Sequence, residues 1–420
     1  MTIELLQPLL EDGIRNVNFF NGRLLSAEDL RAEQVANRQQ NRQLGQAIGE
    51  GVAYGLEVSK STQPGTNPII AIKPGLAINR AGETLRLTKP IDVSLVRPQD
   101  GSTPAQSDSI FSACQPPQAG VYVTGSGVYL LTIGPASGSE GRALVSGLEN
   151  VASKCNTKYI VDGVQFRLVQ LNLTANELGD PRLRNIVAYR CFGVDYIKSF
   201  SSDPFRNPPQ QYGLLDELRP SRLTDCEVPL AVLHWTATGG IKFIDMWTAR
   251  RRTTKPAATE RWNTFTGDRR RSESEAMLLQ FADHIEELRS TLTNPESAVL
   301  TSYFRYLPPV GLLPLSGNGV GFNYLKFFEG RVYFGPVFIE GSRVEPLVRS
   351  ALPFAPIDLN SNEMVWLYFV RENKDPRAFE GSQTPLSYLI FASGHTPFFG
   401  EARFNVARYD YSNYTSTLAF

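Results

Sequence analysis

Residues 51–87 read GVAYGLEVSKSTQPGTNPIIAIKPGLAINRAGETLRL, and this stretch decides the fold class. Three short, β-branched runs, Val52–Val58, Ile69–Ile78 and Glu83–Leu87, are divided by the turn dipeptides Pro64-Gly65, Pro74-Gly75 and Ala81-Gly82. Brief apolar runs between turn residues read as strands. The rhythm recurs at Gly120–Val123, Val128–Ile133, Val164–Leu173, Ile186–Phe192, Val228–Trp235 and Gly240–Trp247. It returns after residue 320 at Val332–Ile339, Val344, Met364–Val370, Leu386–Phe391 and Ala402–Tyr409. Stretches 97–120 and 134–158 are rich in Gly, Pro and Ser and read as loops. The chain is therefore expected to be mainly β (α+β): several small β-sheet domains with an N-terminal helix and one central amphipathic helix.

Ser26 followed by Asp29 makes a capping box, so a helix is predicted from Ala27 to about Ile48, ending at Gly49 and Gly51. Leu30, Leu44 and Ile48 are apolar, but residues 37–43 are all Asn, Gln or Arg. Such a helix buries little by itself. It either bridges solvent or packs through polar contacts against other subunits. A second helix is predicted over Ser272–Arg289, because Met277, Phe281, Ile285 and Leu288 recur at spacings of three and four. Ser272 with Glu275 repeats the capping pattern. Tyr303–Leu315 is too proline-rich for a strand interior or a helix and reads as an extended tether, with a glycine-rich link at Gly317–Gly321. Four regions result: residues 1–50, an N-terminal docking arm and helix; 51–249, a first β region; 250–320, an Arg-rich linker, amphipathic helix and tether; and 321–420, a C-terminal β domain. Phe19-Phe20-Asn21-Gly22-Arg23 is echoed by Phe327-Phe328-Glu329-Gly330-Arg331, too short a match to establish a duplication.

Lys plus Arg and Asp plus Glu are both 42, so the chain has no net field to attract nucleic acid or an anionic membrane. Cys114, Cys155, Cys191 and Cys226 are widely spaced without a CxxC, and reduced thiols are expected, a single disulfide remaining open. His234, His284 and His395 lack neighbours at zinc spacing. No nucleophile elbow, Walker loop, HExxH or EF-hand is present. Glu286-Glu287 and Glu28-Asp29 read as solvated helix faces. No enzyme activity, cofactor or metal is expected. The sharpest charge feature is a pair of triplets, Arg250, Arg251, Arg252 and Arg269, Arg270, Arg271, bracketing Trp262 and Phe265. Arginine's planar fork suits carboxylates at protein interfaces, so protein contact is favoured over a solvated linker or nucleic acid.

The run Asn18-Phe-Phe-Asn-Gly-Arg-Leu-Leu-Ser-Ala-Glu-Asp-Leu-Arg-Ala-Glu-Gln34 resembles the opening of phage-tail and baseplate-associated proteins. Gly55-Leu56-Glu57-Val58, Pro74-Gly75-Leu76-Ala77-Ile78 and Gly82-Glu83 continue the resemblance. Cys226–Leu233, Ile244-Asp245 and Tyr306–Gly311 extend it in patches. It implies a structural piece of a contractile injection system, at the baseplate around the spike or at fibre attachment. Phe19, Phe20, Asn21, Gly22, Arg23, Asp29, Gln34 and the two arginine triplets are then the expected assembly contacts. Partners would be other baseplate, spike or sheath-associated subunits and further copies of the chain, in threefold or sixfold symmetry.

Met1–Ile14 lacks the basic start and apolar run of a signal peptide. A cytoplasmic location within an assembled particle is expected, with membrane contact only through that particle. Two other readings stay open: a carbohydrate- or receptor-binding fibre protein using Phe398, Phe399, Tyr409, Tyr411 and Tyr414, and a particle-associated wall hydrolase.

Overall fold

The computed structural model of the protein describes residues 13–61, 68–95, 126–144, 155–203, 205, 213–219, 221–236, 239–255, 267–316, 321–371 and 387–400. The architecture is mainly β, as the turn-divided runs predict. Gly120–Val123, Ala402–Tyr409, Trp262, Phe265, Tyr409, Tyr411 and Tyr414 lie outside the described residues.

Helix α1 (Ala27–Ile48) leads into six short strands. These are β1 (Gly51–Gly55), β2 (Val58–Lys60), β3 (Ile69–Ile72), β4 (Gly75–Ile78), β5 (Thr84–Leu87) and β6 (Ile91–Ser94). They form two antiparallel three-stranded sheets, ordered β1-β4-β5 and β2-β3-β6. The single predicted run Ile69–Ile78 is divided between the two sheets at Lys73-Pro74, because proline has no N–H to give a ladder.

The next sheet has the order β10-β9-β7-β8, from β7 (Gly127–Leu144), β8 (Cys155–Gln170), β9 (Val228–Thr236) and β10 (Gly240–Asp245). Strand β7 divides its side chains by parity. Tyr129, Leu131 and Ile133 join a core with Val52, Leu56, Ile70 and Leu85, and Val128 and Leu130 pack on the other face against Leu183 and Val187. Over residues 128–133 both faces are covered, and this part of the strand is apolar except for Thr132, where a half-buried strand would alternate with polar residues. Leu183 and Val187 lie on α2 (Leu183–Cys191), which corrects the expected strand Ile186–Phe192. This helix is buried at Leu183, Arg184, Asn185, Val187, Ala188, Tyr189 and Cys191. Burial on nearly every side removes the polar face that would have marked its period. The expected loop 134–158 is corrected at residues 134–144 and 155–158, where β7 and β8 pair out to Leu144↔Cys155, and residues 145–154 lie outside the described residues.

The C-terminal part begins with α3 (Asp268–Thr291). It continues through β11 (Tyr306–Leu307), β12 (Val310–Pro314), β13 (Tyr333–Ile339), α4 (Val344–Ala351), β14 (Ile357–Asp358), β15 (Val365–Val370) and β16 (Tyr388–Ser393). Its main sheet runs β12-β16-β15-β13, with β13 parallel to β15 and the other pairs antiparallel. Val365, Leu367, Leu389 and Phe391 face Phe281, Ile285 and Leu288 of α3. Tyr368, Val370, Ile390 and Ala392 face Leu347 and Ala351 of α4. Each of the buried Val, Leu, Ile and Phe side chains among these contributes about 1.5–3 kcal/mol. Val344, read as β, opens α4 instead. The supposed tether is extended, as expected, but part of it is the edge strand β12, where Pro314 interrupts no ladder. Phe398, half-buried, packs on Phe334 and Trp366 with ring centroids 5.8 and 4.9 Å away, so it is a core contact and not part of an exposed aromatic patch.

Helix α2 joins the two parts. Tyr189 stacks on Tyr306 at 5.3 Å and shares a buried cluster with Met277 of α3. Asn185 donates to the Tyr306 carbonyl at 3.0 Å and accepts from the Arg305 and Tyr306 amides at 2.8 and 2.9 Å. Arg184 and Gln280 both donate to Asp245 at 2.9 Å. These paired groups satisfy polar atoms that would otherwise be costly to bury. Cys191 is free and buried, and Cys226 is in a disulfide, which corrects the expectation of four reduced thiols. Wide spacing along the chain does not measure distance in the fold.

Candidate assembly surface

The N-terminal motif builds a rigid corner from its polar residues. The Arg23 amide donates to the Phe20 carbonyl at 3.2 Å, closing a turn at Asn21-Gly22 in which Gly22 has φ 93°. The Arg23 guanidinium donates to the Asn18 carbonyl at 2.7 Å and to Asp29 at 2.5 Å. Asp29 also accepts the Ser26 amide at 3.0 Å, while its own amide donates to the Ser26 hydroxyl at 3.1 Å. That is the expected capping box. The amide and hydroxyl of Ser26, then Arg23, hold the Asp29 carboxyl below its ordinary pKa. Turn and cap are thereby one hydrogen-bonded unit.

The apolar residues of the same motif face outward. Phe20 is 62% exposed and Leu24 92%, with Phe19 and Leu25 also exposed. Asn21 and Gly22 are exposed at the turn, and Gln34 is exposed on α1. Four large apolar side chains on a corner that its own polar groups keep in shape form a surface suited to contact with another molecule.

Helix α1 is seated by small residues and ion pairs, and its buried residues are Ala36 and Gly45. Gly45 lies against the β4–β5 turn so closely that a Cβ there would stand 2.0 Å from the Gly82 carbonyl oxygen. Arg42 pairs with Glu83 beside that turn, and Arg38 reaches Asp162 on β8 at 3.0 Å. Neither reading of the polar helix, bridging solvent or packing on other subunits, included this geometry, in which part of its surface makes polar contacts with its own chain. Leu30, Val35, Leu44 and Ile48 remain exposed.

Asp162 belongs to a feature the sequence reading missed. Strand β9 pairs with β7 only over residues 127–133, so beyond Ile133 the strands β7 and β8 continue as a two-stranded ribbon. At roughly 3.4 Å per residue the ribbon extends on the order of 35 Å. Consecutive residues Tyr159, Ile160 and Val161 are all exposed, so both of its faces are open. An isolated two-stranded ribbon is marginal in water. The signal was present in the β-formers Tyr159-Ile160-Val161, masked by the Gly and Ser of the opposite strand.

The arginine triplets are used differently from the expected contacts. Arg270 is 1% exposed and donates to the Pro353 and Phe354 carbonyls. Arg269 pairs with Asp216 and, at 3.0 Å, with Glu273. Arg251 donates to the Trp247 carbonyl at 2.7 Å and lies 4.8 Å from the Phe192 ring centroid. Arg250 stands over Trp247 at 5.7 Å, and burial pushes its pKa down. Arg252 pairs with Glu275 at 2.8 Å. Arg271 is exposed. Five of the six therefore bind partners in this chain, and the triplets act as internal clamps between its parts.

One cavity, of about 90 Å³, lies between the end of α1, the β4–β5 turn and α3, lined among others by Glu50, Arg80, Asp216, Arg219, Arg269 and Glu273. Arg80 meets Glu50 at 2.6 Å and Asp216 at 3.6 Å, and Arg219 meets Asp225 at 3.0 Å. Most acids and bases there already pair with one another, while Arg251 also lines the cavity and one carboxylate oxygen of Glu273 is buried without a hydrogen-bond partner. Ser272 does not cap α3, whose N-cap is Gly267, and its buried hydroxyl has no partner. Among the described residues no three His, Cys, Asp or Glu side chains are grouped to hold a metal. Nor is any helix among them long and apolar enough to cross a membrane.

No protein-family model matches the chain, and no curated protein matches it in sequence. Among solved structures, a crystal structure of TssK aligns at 12% identity with a TM-score of 0.20, over 49% of this chain and 52% of that one. The alignment thus spans about half the length of that protein, and a likeness of this degree carries no argument about fold or function.

Proposed function

We propose that this protein is a non-catalytic structural subunit of a phage-tail-like contractile particle, held at the baseplate around the spike or at fibre attachment through residues 13–48. The observation that carries this reading is the N-terminal corner. Its polar residues are satisfied by one another, while Phe19, Phe20, Leu24 and Leu25 are presented to solvent. A chain that keeps such a corner in shape without burying its apolar residues gains from a partner that covers them. The resemblance of residues 18–34 to baseplate-associated proteins supplies the kind of partner. The packing of Phe398 disfavours the carbohydrate-binding reading.

The test is recovery of intact particles from producing cells through an affinity tag on this chain. Sheath, tube and spike subunits are expected to accompany it. Phe19→Ser with Phe20→Ser is expected to remove the chain from particles without changing its thermal midpoint. Recovery without those subunits, or normal incorporation of the variant, overturns the reading.

A further inference from the structure

Along α1, Leu30, Gln34, Asn37, Asn41, Leu44 and Ile48 recur at alternating spacings of four and three. All six are exposed. The elements that seat the helix touch it elsewhere, at Ala36, Arg38, Arg42 and Gly45. A heptad-spaced line on a straight helix is the geometry of a coiled-coil seam, with Gln34, Asn41 and Ile48 at one core position and Leu30, Asn37 and Leu44 at the other.

We propose that this seam packs in parallel and in register against α1 of a second copy of the chain. The inference rests on the assembly reading of residues 13–48 but not on the identity of the particle. Its first argument is matching. In parallel register apolar faces apolar at residues 30, 44 and 48, and amide faces amide at 34, 37 and 41. A side-chain amide is both donor and acceptor, so identical amides pair with each other across such a seam, Asn37 exchanging its exposed hydrogen bonds to the Glu33 carbonyl and carboxylate at 3.0 and 3.2 Å. The second argument is charge. Glu33 precedes the seam residue Gln34, and Arg38 follows the seam residue Asn37. In a parallel pair these flanking positions meet across the interface, Glu33 of one copy with Arg38 of the other. An antiparallel pair centred on residue 39 instead opposes Gln34 to Leu44 and brings the two Arg38 side chains together. The amides weaken the seam relative to an all-apolar one and fix its register.

Arg38 already meets Asp162 of its own chain, but both are about half exposed, at 45% and 48%. A pair so exposed contributes little and can exchange for the intermolecular one.

The experiment is sedimentation equilibrium on the full chain at tens of micromolar, with particle subunits absent. The wild type is expected at a multiple of 46.6 kDa. Leu44→Asp with Ile48→Asp is expected at 46.6 kDa, with the thermal midpoint of wild type diluted until it is monomeric, since both residues are exposed in the single chain. Glu33→Arg is expected to weaken association roughly tenfold, and Arg38→Glu in the same chain to restore it. Asn41→Cys is expected to cross-link to itself under mild oxidation, beyond any background of the wild-type cysteines. A monomeric wild type, or an oligomer indifferent to the aspartates, overturns the seam. Failure of the charge swap or of the cross-link overturns the parallel register. Neither failure touches recovery of the chain with sheath and tube subunits, so the two proposals fail separately.

Discussion

The turns that close at Arg23 and at Arg331 share their closing geometry in opposite surroundings, the second following a short helix, Tyr324–Phe327, that the first lacks. In each, the arginine amide donates to the carbonyl three residues earlier, at 3.2 and 3.0 Å. The glycines have φ 93° and 74°, and each guanidinium donates to backbone carbonyls. Yet Phe327 and Phe328 are 0% exposed, among Phe304, Phe322 and Phe391, while Phe19 and Phe20 face solvent. Local residues therefore specify the turn, and the surroundings decide what it does. In the C-terminal part the turn delivers two rings to a core. At the N-terminus it presents two rings with no such core around them, which is the strongest physical reason to look for one in another molecule.

The comparison breaks most visibly at the rings. Phe328→Ala should cost about 3–5 kcal/mol in urea unfolding, the loss typical of emptying a packed aromatic site. Phe20→Ala should change the same quantity by less than about 0.5 kcal/mol. A comparable loss at both sites would mean that the N-terminal pair is already buried in solution.

Acid sharpens the contrast next. The buried core around Phe304 includes His284, whose ring centroid lies 4.6 Å away. Burial, then Arg184, pushes its pKa down to about 3 against a smaller upward pull from Asp245. The unfolded chain takes up this proton near the ordinary pKa of about 6.5, and the folded chain refuses it until about pH 3. Stability is therefore complete above that ordinary value and falls by roughly 1.4 kcal/mol per pH unit below it, levelling off near the folded value. Calorimetry across this range should show the slope, and His284→Gln should flatten it. The N-terminal corner should persist through most of it, because the Asp29 carboxyl is held below its ordinary value and stays ionised.

The smallest effect is at the glycines. A Cβ at Gly22 or Gly330 would meet nothing within 4 Å, so only the positive φ requires glycine. Gly330→Ala should cost about 1 kcal/mol of global stability. Gly22→Ala should leave global unfolding unchanged and act on incorporation into particles alone. If Gly330→Ala is silent, the two turns are not equivalent.

Much of this was legible from the chain. Ser26 and Gly49 mark α1 at both ends because capping is a local interaction. Met277, Phe281, Ile285 and Leu288 are all buried, because one face of α3 lies on the C-terminal sheet and, at Met277, on α2. The same helix shows where local reading stops. It begins at Asp268, and Arg270, Ser272 and Glu273 are buried against the rest of the chain, so tertiary contact overrides a capping signal at Ser272. Helix α2 failed for a related reason, being buried on nearly all sides. For the arginine triplets, charge in a sequence does not say which molecule will meet it. Here Asp216 and Glu273 pair with Arg269 and Glu275 with Arg252, while carbonyls hold Arg251 and Arg270, all from within the chain.

The contact between Gly45 and Gly82 carries a mechanical consequence. Most helices rest on their neighbours through side chains, whose rotamers yield under load. Here a helix backbone meets a turn backbone with nothing between them, and Arg42 with Glu83 closes the flank. The joint has little compliance. A push or twist applied along α1 reaches the β4–β5 hairpin as displacement, before side-chain rearrangement can absorb it.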